Sequence, residues 1–277
     1  MPTARAASEP LFSVITACRN AGDCIERAMT SVRDQTCRDY QYLIIDGAST
    51  DDTLRLVERN RDLVSLCLSE PDRGISDAFN KGIARASGAY VVMVNADDWL
   101  EPDALARVAA LVARGQADVY CGYQRYWERG VERSVFGADP ERLPRYMSIN
   151  HGASFVRRSL FARCGGFRLD YRLAMDYELF LRFYRCGATF QRVEAVLSNM
   201  DLGGRSDRAW SSALAEVWRA QRANGVPLAD AMASFSFQLT KGALRRLLER
   251  LGGRRLVERY RRAVQRSVRV PSPQRPR

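Results

Sequence analysis

The chain has 277 residues, 46% of them hydrophobic and 27% charged, enough for one large domain with an ample core or one domain plus an appendage. From Lys241 onward there are 13 Lys and Arg against 2 acids, so the whole net charge of +11 lies in a tail and the first 240 residues balance at 30 against 30. That distribution excludes a nucleic-acid signature for the main domain, and no run approaches the roughly 20 apolar residues that span a bilayer. Residues 11–17, LFSVITA, predict a buried strand. Ile25, Ala28, Met29 and Val32 follow at helical spacing within 23–35. QYLIID (41–46) predicts a second strand ending on Asp46, and GASTDDT a turn into the helix TLRLVERN. LVSLCLSE predicts a third strand, and DRGISDAFNKGIARAS a loop and helix closed by Gly88. AYVVMVNA, a fourth strand, runs straight into Asp97 and Asp98, and Pro102 opens a helix in DALARVAALVARG. From 116 to 200 the pattern is less regular: DVYCGYQRYW and SVFGA predict strands of a mixed sheet, and RLAMDYELFLRFYRCG carries a helical stripe beginning just after Asp176. After Asp201 the chain reads as helical, and VPSPQRPR as disordered.

Seven cysteines, an odd number without a C-x-x-C pair, point away from a disulfide framework or zinc site and toward a reducing, cytoplasmic setting. MPTARAASEP lacks the apolar core of a secretory signal. The chain is therefore expected to be soluble or peripheral to a membrane.

Strand–helix alternation over the first ~115 residues implies parallel strands in an α/β layer structure. Each polar cluster falls at the carboxyl end of a strand, where open α/β sheets bind ligands. Adjacent carboxylates such as Asp97 and Asp98 repel unless a positive partner relieves them. A hard divalent cation, Mg²⁺ or Mn²⁺, shared with phosphate oxygens would do so, whereas an acid pair before a helix also serves simply to meet the macrodipole. Neither G-x-x-x-x-G-K-[ST] nor G-x-G-x-x-G occurs, so a diphosphate would have to be held by metal.

SVITACRNAGDCIERAMTSVRDQTCRDYQYLIIDGASTDDT followed by SEPDRGISDAFNKGIARASGAYVVMVNADDWL resembles the bacterial family 2 glycosyltransferases of GT-A fold. The strand-end Thr, the DGxSTD turn, the DxGxxDAxNKG segment and the NADD pair occur in consistent order through about residues 11–200. The resemblance implies a three-layer α/β/α sandwich with a mostly parallel central sheet and a C-terminal helical extension. It divides the chain into a disordered 1–10, a catalytic domain 11–200 with a nucleotide-binding half 11–115 and an acceptor half 116–200, and a basic helical extension 201–277. It implies an inverting, metal-dependent transfer of a hexose from a nucleotide-diphosphate sugar to a polysaccharide or lipid-linked glycan of the cell envelope.

Residue by residue, the resemblance assigns Asp46 to the nucleotide base and Thr16 to a strand-end nucleotide contact. It places Asp97 near the ribose, and Asp98 with Asp97 on the metal. Arg19, Ser49, Asp72, Asp77, Asn80 and Asn95 complete the donor site. Asn95 stands where an acid is frequent, and Cys18 where an aromatic often stacks on the base. After the GGF turn, Asp176 matches the catalytic base, with Met175 in place of a preceding family acid. An N-cap is the structural alternative for Asp176, and Glu178 should lie about 200° around the helix from it. His151, the single histidine, fits a loop over the donor or acceptor pocket or a structural role.

In the tail, Leu244, Leu248 and Leu251 share one helical face, and Tyr260, Val264 and Val268 recur after Gly252–Gly253. An Arg-rich amphipathic helix of this kind suits an anionic membrane surface at the inner face of the cytoplasmic membrane, unless the leucines pack on the domain. A competing reading is a non-catalytic module of the same fold that docks through this tail.

Overall fold

The computed structural model describes residues 9–202 and 210–251. Of the segment 1–10 expected to be disordered, residues 1–8 lie outside the described residues, as do VPSPQRPR and the apolar stripe at Tyr260, Val264 and Val268, while Pro10 accepts the Ala89 N–H at 3.2 Å.

Among the described residues one nine-stranded sheet runs through the molecule in the order β3 (Leu66–Ser69), β2 (Tyr40–Asp46), β1 (Phe12–Cys18), β4 (Tyr90–Asn95), β8 (Ser154–Arg157), β6 (Val119–Glu128), β9 (Phe190–Asp201), β5 (Trp99–Leu100), with β7 (Val131–Phe136) paired to β6. Its first part is parallel: β1 lies between β2 and β4, and β3 extends β2. Beyond β4 the sheet becomes mixed. β8 is antiparallel to both β4 and β6, β9 is parallel to β6, and β5 is antiparallel to β9. β7 closes a hairpin with β6. The two halves expected from the sequence thus share one continuous sheet.

Side chains alternate across the pleat, and β1 shows the result. Phe12 and Val14 join one core with α1 (Ile25–Arg33), α2 (Thr53–Arg59) and α4 (Ala104–Val112), through Ile25, Met29, Leu56, Val57 and Leu105. Ile15 and Ala17 join the core on the opposite face with α3 (Ile75–Arg85), α5 (Arg158–Cys164) and α6 (Met175–Arg185), through Phe79, Phe161, Leu179 and Phe180. Helices on both faces make the three-layer arrangement expected from the sequence. A third core joins Tyr171, Ala174, Tyr177 and Leu181 around α6 to Ala220 of α7 (Trp210–Ala223), Val226, and Ala231 of α8 (Leu228–Leu251).

Two local expectations are corrected. Gly88 does not cap α3, which ends at Arg85 with Ala86 as its cap residue. A Cβ on Gly88 would lie 2.5 Å from backbone atoms of Phe12 and Ser13, so the glycine permits close passage beneath β1. The twelve-residue β9 has no counterpart among the predicted strands.

Candidate functional site

The carboxyl ends of β1, β2 and β4 form a rim whose loops are tied to one another. Asn20 donates its backbone N–H to Ser49 Oγ (2.7 Å), Thr50 donates to Asn20 Oδ1 (2.9 Å), and Gly22 donates to Asp51 Oδ2 (2.9 Å). The turn after β2 places a positive φ of 57° on Ala48 and not on Gly47. Gly47 instead leaves the space occupied by the Asp72 carboxylate, which lies directly against it and accepts the Gly74 N–H at 2.8 Å.

Several predicted donor contacts have other occupations. Thr16 lies two residues before the end of β1, fully buried, with its hydroxyl 2.9 Å from the Tyr42 hydroxyl. Its hydroxyl is engaged with Tyr42 inside the sheet. Asp46 does end β2 but is 1% exposed and saturated. Its carboxylate accepts from the Ser49 N–H (2.9 Å), the Ser49 hydroxyl, the Ser69 hydroxyl (2.6 Å) and the Cys18 thiol (3.6 Å). Asp46, buried, and Ser49, half-buried, therefore brace one another under the rim. Cys18, expected as a substitute for a stacking aromatic, is buried against Asp46; burial first, and that charge second, push its thiol far above the ordinary range. Arg19 and Asp72 remain at the surface of the rim, exposed and half-buried respectively.

The loop after β3 enters α3. Burial raises the Asp77 proton affinity, but bonds from the Arg73 backbone and guanidinium and the charge of Lys81 outweigh it, and the carboxyl is held below its usual range. Asn80 makes a paired bond to the GGF turn, donating to Phe167 O and accepting the Phe167 N–H, both at 2.8 Å. Its amide is occupied by protein backbone and clamps that turn.

Beyond β4 the two acids face different surroundings. Asp97 is exposed, and its backbone carbonyl receives Arg27, whose guanidinium also pairs with Asp201 and lies 3.8 Å from the Trp99 ring centre. Asp98 is 2% exposed and takes the Asn95 side-chain N–H at 2.8 Å. Burial, and then the charge of Asp97, push its carboxyl well above the usual range. Asp98 Oδ1 and Asn95 Oδ1 are buried oxygens with no hydrogen-bond donor. Orphaned hard oxygens beside an exposed carboxylate fit a divalent cation. Among the described residues, no three His, Cys, Asp or Glu side chains converge into a closed cage. A cation that takes one or two carboxylates and completes its shell with substrate phosphate needs no such cage.

His151 stands in a short turn (His151–Ala153), with its ring packed on Phe79 (centroids 5.3 Å apart) and near Phe167 (6.4 Å). Its Nε2 is buried without a partner, and burial pushes its pKa down to about 4. The imidazole is a neutral ring wedged between aromatics.

Asp176 occupies the second position of α6, and Ala174 is the cap residue, so the N-cap alternative does not hold. Asp176 Oδ1 accepts the Tyr177 N–H at 2.7 Å. Burial raises its proton affinity, and that N–H only partly opposes the rise. Its neighbour Met175 receives the Ser76 hydroxyl at its sulfur (2.9 Å), which draws the start of α6 to the start of α3. Asp176 is thereby brought to the same end of the sheet as the acid pair. Glu178 points away, 1% exposed and paired with Arg182.

Two residues that the sequence did not single out brace the GGF turn and the approach to α6. Arg182 donates to the carbonyls of Cys164, Gly165 (3.0 Å) and Gly166 (2.7 Å), pinning the GGF turn. Glu216 of α7 accepts the backbone N–H groups of Arg172, Leu173 and Ala174, just ahead of α6. Only the i,i+4 spacing of Glu178 and Arg182 carried a signal for the first; nothing local signals the second.

The tail is described in part. Leu244 is 43% exposed, while the side chains of Leu248 and Leu251 lie outside the described residues. Among the described residues no helix is long and apolar enough to cross a membrane.

Comparison with known proteins agrees with this architecture. In fold, the chain is similar to S. aureus TarS 1–349 in complex with UDP-GlcNAc (TM-score 0.65, 20% identity, 82% of this chain and 71% of that one). It is also similar to the mannosyltransferase PcManGT from Pyrobaculum calidifontis in complex with GDP-Man and Mn²⁺ (TM-score 0.58, 19% identity, 93% and 80% covered). In sequence, a PGL/p-HBAD biosynthesis glycosyltransferase of Mycobacterium tuberculosis is 32% identical over 205 residues, covering 72% of this chain and 80% of that protein. The Escherichia coli chondroitin synthase is 27% identical over 211 residues, 71% of this chain but 30% of that protein. The model of the family described as "Glycosyl transferase family 2" matches residues 13–169, more than half of the chain. With the GT-A architecture, the ordered rim segments and this match in agreement, the chain belongs to glycosyl transferase family 2 and is a glycosyltransferase.

Proposed function

We propose that this glycosyltransferase moves a hexose, with inversion, from a nucleotide-diphosphate sugar to a glycan or lipid-linked acceptor in envelope glycan synthesis, with Asp176 as the general base. The observation that carries the reading is the seating of Asp176 at the start of α6, drawn to α3 by Met175 and Ser76 and held in surroundings that raise its proton affinity. A carboxylate so placed is suited to take the proton of an attacking hydroxyl. Inversion then follows from a single in-line displacement at the anomeric carbon.

Asp97 and Asp98, with Asn95, are the residues that would hold Mg²⁺ or Mn²⁺. When bound, such an ion neutralises the charge of the departing diphosphate. The neighbours in complex with UDP-GlcNAc and with GDP-Man and Mn²⁺ support a nucleotide-sugar donor and a divalent cation. Arg19 and Asp72, surface side chains of the rim, are the proposed donor contacts, and Asp77 orders the loop that carries Asp72. The aromatic wedge around His151 excludes water from the region between α3 and the GGF turn. The test is Asp176→Asn: nucleotide-sugar binding by thermal shift is retained while transfer is abolished. Loss of both would reduce Asp176 to a structural role.

The acceptor side has its own support. Leu228, Met232, Phe237 and Leu239 of α8 are 43–62% exposed directly before the segment that carries the +11 excess, and Leu244 and Leu247, 43% and 50% exposed, lie within it. Exposed apolar side chains followed by dense positive charge suit an anionic membrane, where each Lys or Arg contributes about 1 kcal/mol. Flotation with phosphatidylglycerol vesicles should carry the full chain and leave a chain ending at 240 in solution. No difference between the two would remove the membrane from the proposal.

A further inference from the structure

The helix that carries Asp176 has no cap side chain of its own: Ala174 occupies the cap position. The backbone N–H groups just ahead of it are met from outside the helix. Glu216 takes the Arg172 N–H at 3.1 and 3.0 Å on its two oxygens, the Leu173 N–H at 2.8 Å and the Ala174 N–H at 2.9 Å. Three consecutive N–H groups on one carboxylate make an anion-binding concavity at a helix N-terminus, which fixes backbone geometry as well as adding energy. The helix that presents Glu216 is itself anchored. Arg219 donates to the Asp170 carbonyl and stands 4.1 Å over the Tyr171 ring, and buried Gln221 donates to the carbonyls of Pro144 (3.2 Å) and Arg145 (3.0 Å). The Arg219 and Glu216 contacts hold the chain from 170 to 174, the approach to the second residue of α6, and those of Gln221 fix the same helix against residues 144–145.

We infer that Glu216 is a positioning residue for transfer, acting through the backbone of residues 172–174 to set the place of the Asp176 carboxylate; this rests on the reading of Asp176 as base. Glu216 is assigned no contact with donor or acceptor. Its loss therefore acts on the chemical step and leaves donor affinity alone, because a small misplacement of a catalytic group lowers turnover steeply.

The experiment uses the full-length chain with substitutions Glu216→Gln, Glu216→Asp and Asp176→Asn. With Glu216→Gln, kcat falls on the order of tenfold, donor KM stays within about twofold, and the amides of residues 172–174 lose hydrogen-exchange protection. Glu216→Asp, which keeps the charge, recovers part of kcat, and it also serves as the variant to measure if Gln prevents folding. An unchanged kcat, or a raised KM at constant kcat, overturns the inference even when Tm falls, since either outcome describes a residue that only stabilises. Asp176→Asn separates the two readings. If it transfers sugar normally, the assignment of the base fails. If it is inactive while Glu216→Gln turns over like the parent, the Glu216 inference alone fails.

Discussion

Glu178 and Arg182, one turn apart on α6, meet through two bonds of 2.9 Å, from Arg182 Nε to Oε1 and from its terminal nitrogen to Oε2. Glu178 is 1% exposed, and Arg182 directs its remaining donors to the carbonyls of the GGF turn. Removing one partner of a buried pair leaves the other charge uncompensated, at a cost of about 3–5 kcal/mol. Glu178→Ala should therefore lower stability by about 3 kcal/mol, read as the shift in urea midpoint at constant m-value. A loss below about 1 kcal/mol would show that the pair is screened by solvent.

Asn80 offers a sharper contrast between roles. As a clamp, Asn80→Ala leaves the Phe167 N–H and carbonyl without partners and should cost about 2 kcal/mol. As a donor ligand, it would instead raise donor KM with little change in Tm. Differential scanning calorimetry beside initial-rate kinetics separates the two, and the paired 2.8 Å bonds favour the drop in Tm.

The first four parallel strands and their helices were legible because each buries a regular apolar pattern: Ile25, Ala28, Met29 and Val32 of α1 are all buried, as their spacing implied. β9 escaped because Arg192 and Glu194 interrupt its apolar run, and its strand character comes from pairing with β6, more than sixty residues away in sequence. The acid pair and Asp176 were visible as chemistry at element boundaries. That Asp46, Ser49 and Asn80 serve protein partners was not visible, because hydrogen-bond saturation depends on Ser69 and Phe167, which only the fold brings near. Glu216 was invisible for the same reason: its partners lie 42–44 residues earlier and are backbone groups without sequence identity.

His151 predicts a pH dependence with a definite sign. Its folded pKa of about 4 lies below the ordinary value of 6.5, so the native state disfavours the proton. Stability is intact above about 6.5 and is lost as pH falls toward 4. A difference of about 2.5 units at 1.36 kcal/mol each gives roughly 3 kcal/mol across that window. Urea titrations at pH 7 and pH 4.5 should show a steeper decline for the parent than for His151→Phe. Parallel declines would mean that the imidazole reaches water.

Asp98 should behave as a strained carboxylate in the absence of metal. Asp98→Asn keeps the size, removes repulsion with Asp97, and should raise Tm in chelator-treated protein, by about 1 kcal/mol of stability. Mn²⁺ should raise the Tm of the parent, and the same variant should lose that increase. A substitution that lowers metal-free stability and leaves the Mn²⁺ response intact would assign the ion to other ligands.

The third core sets a limit on how the enzyme can be shortened. Tyr177 and Leu181 of α6 owe their burial to Ala220, Val226 and Ala231. A chain trimmed to the family-matched span of 13–169 would omit the helix that bears Asp176 altogether, and one stopped near residue 200 would bare that helix's apolar flank to water. The minimal autonomous unit accordingly extends past residue 231, and fusions or truncations at the C-terminus are tolerable only beyond that point.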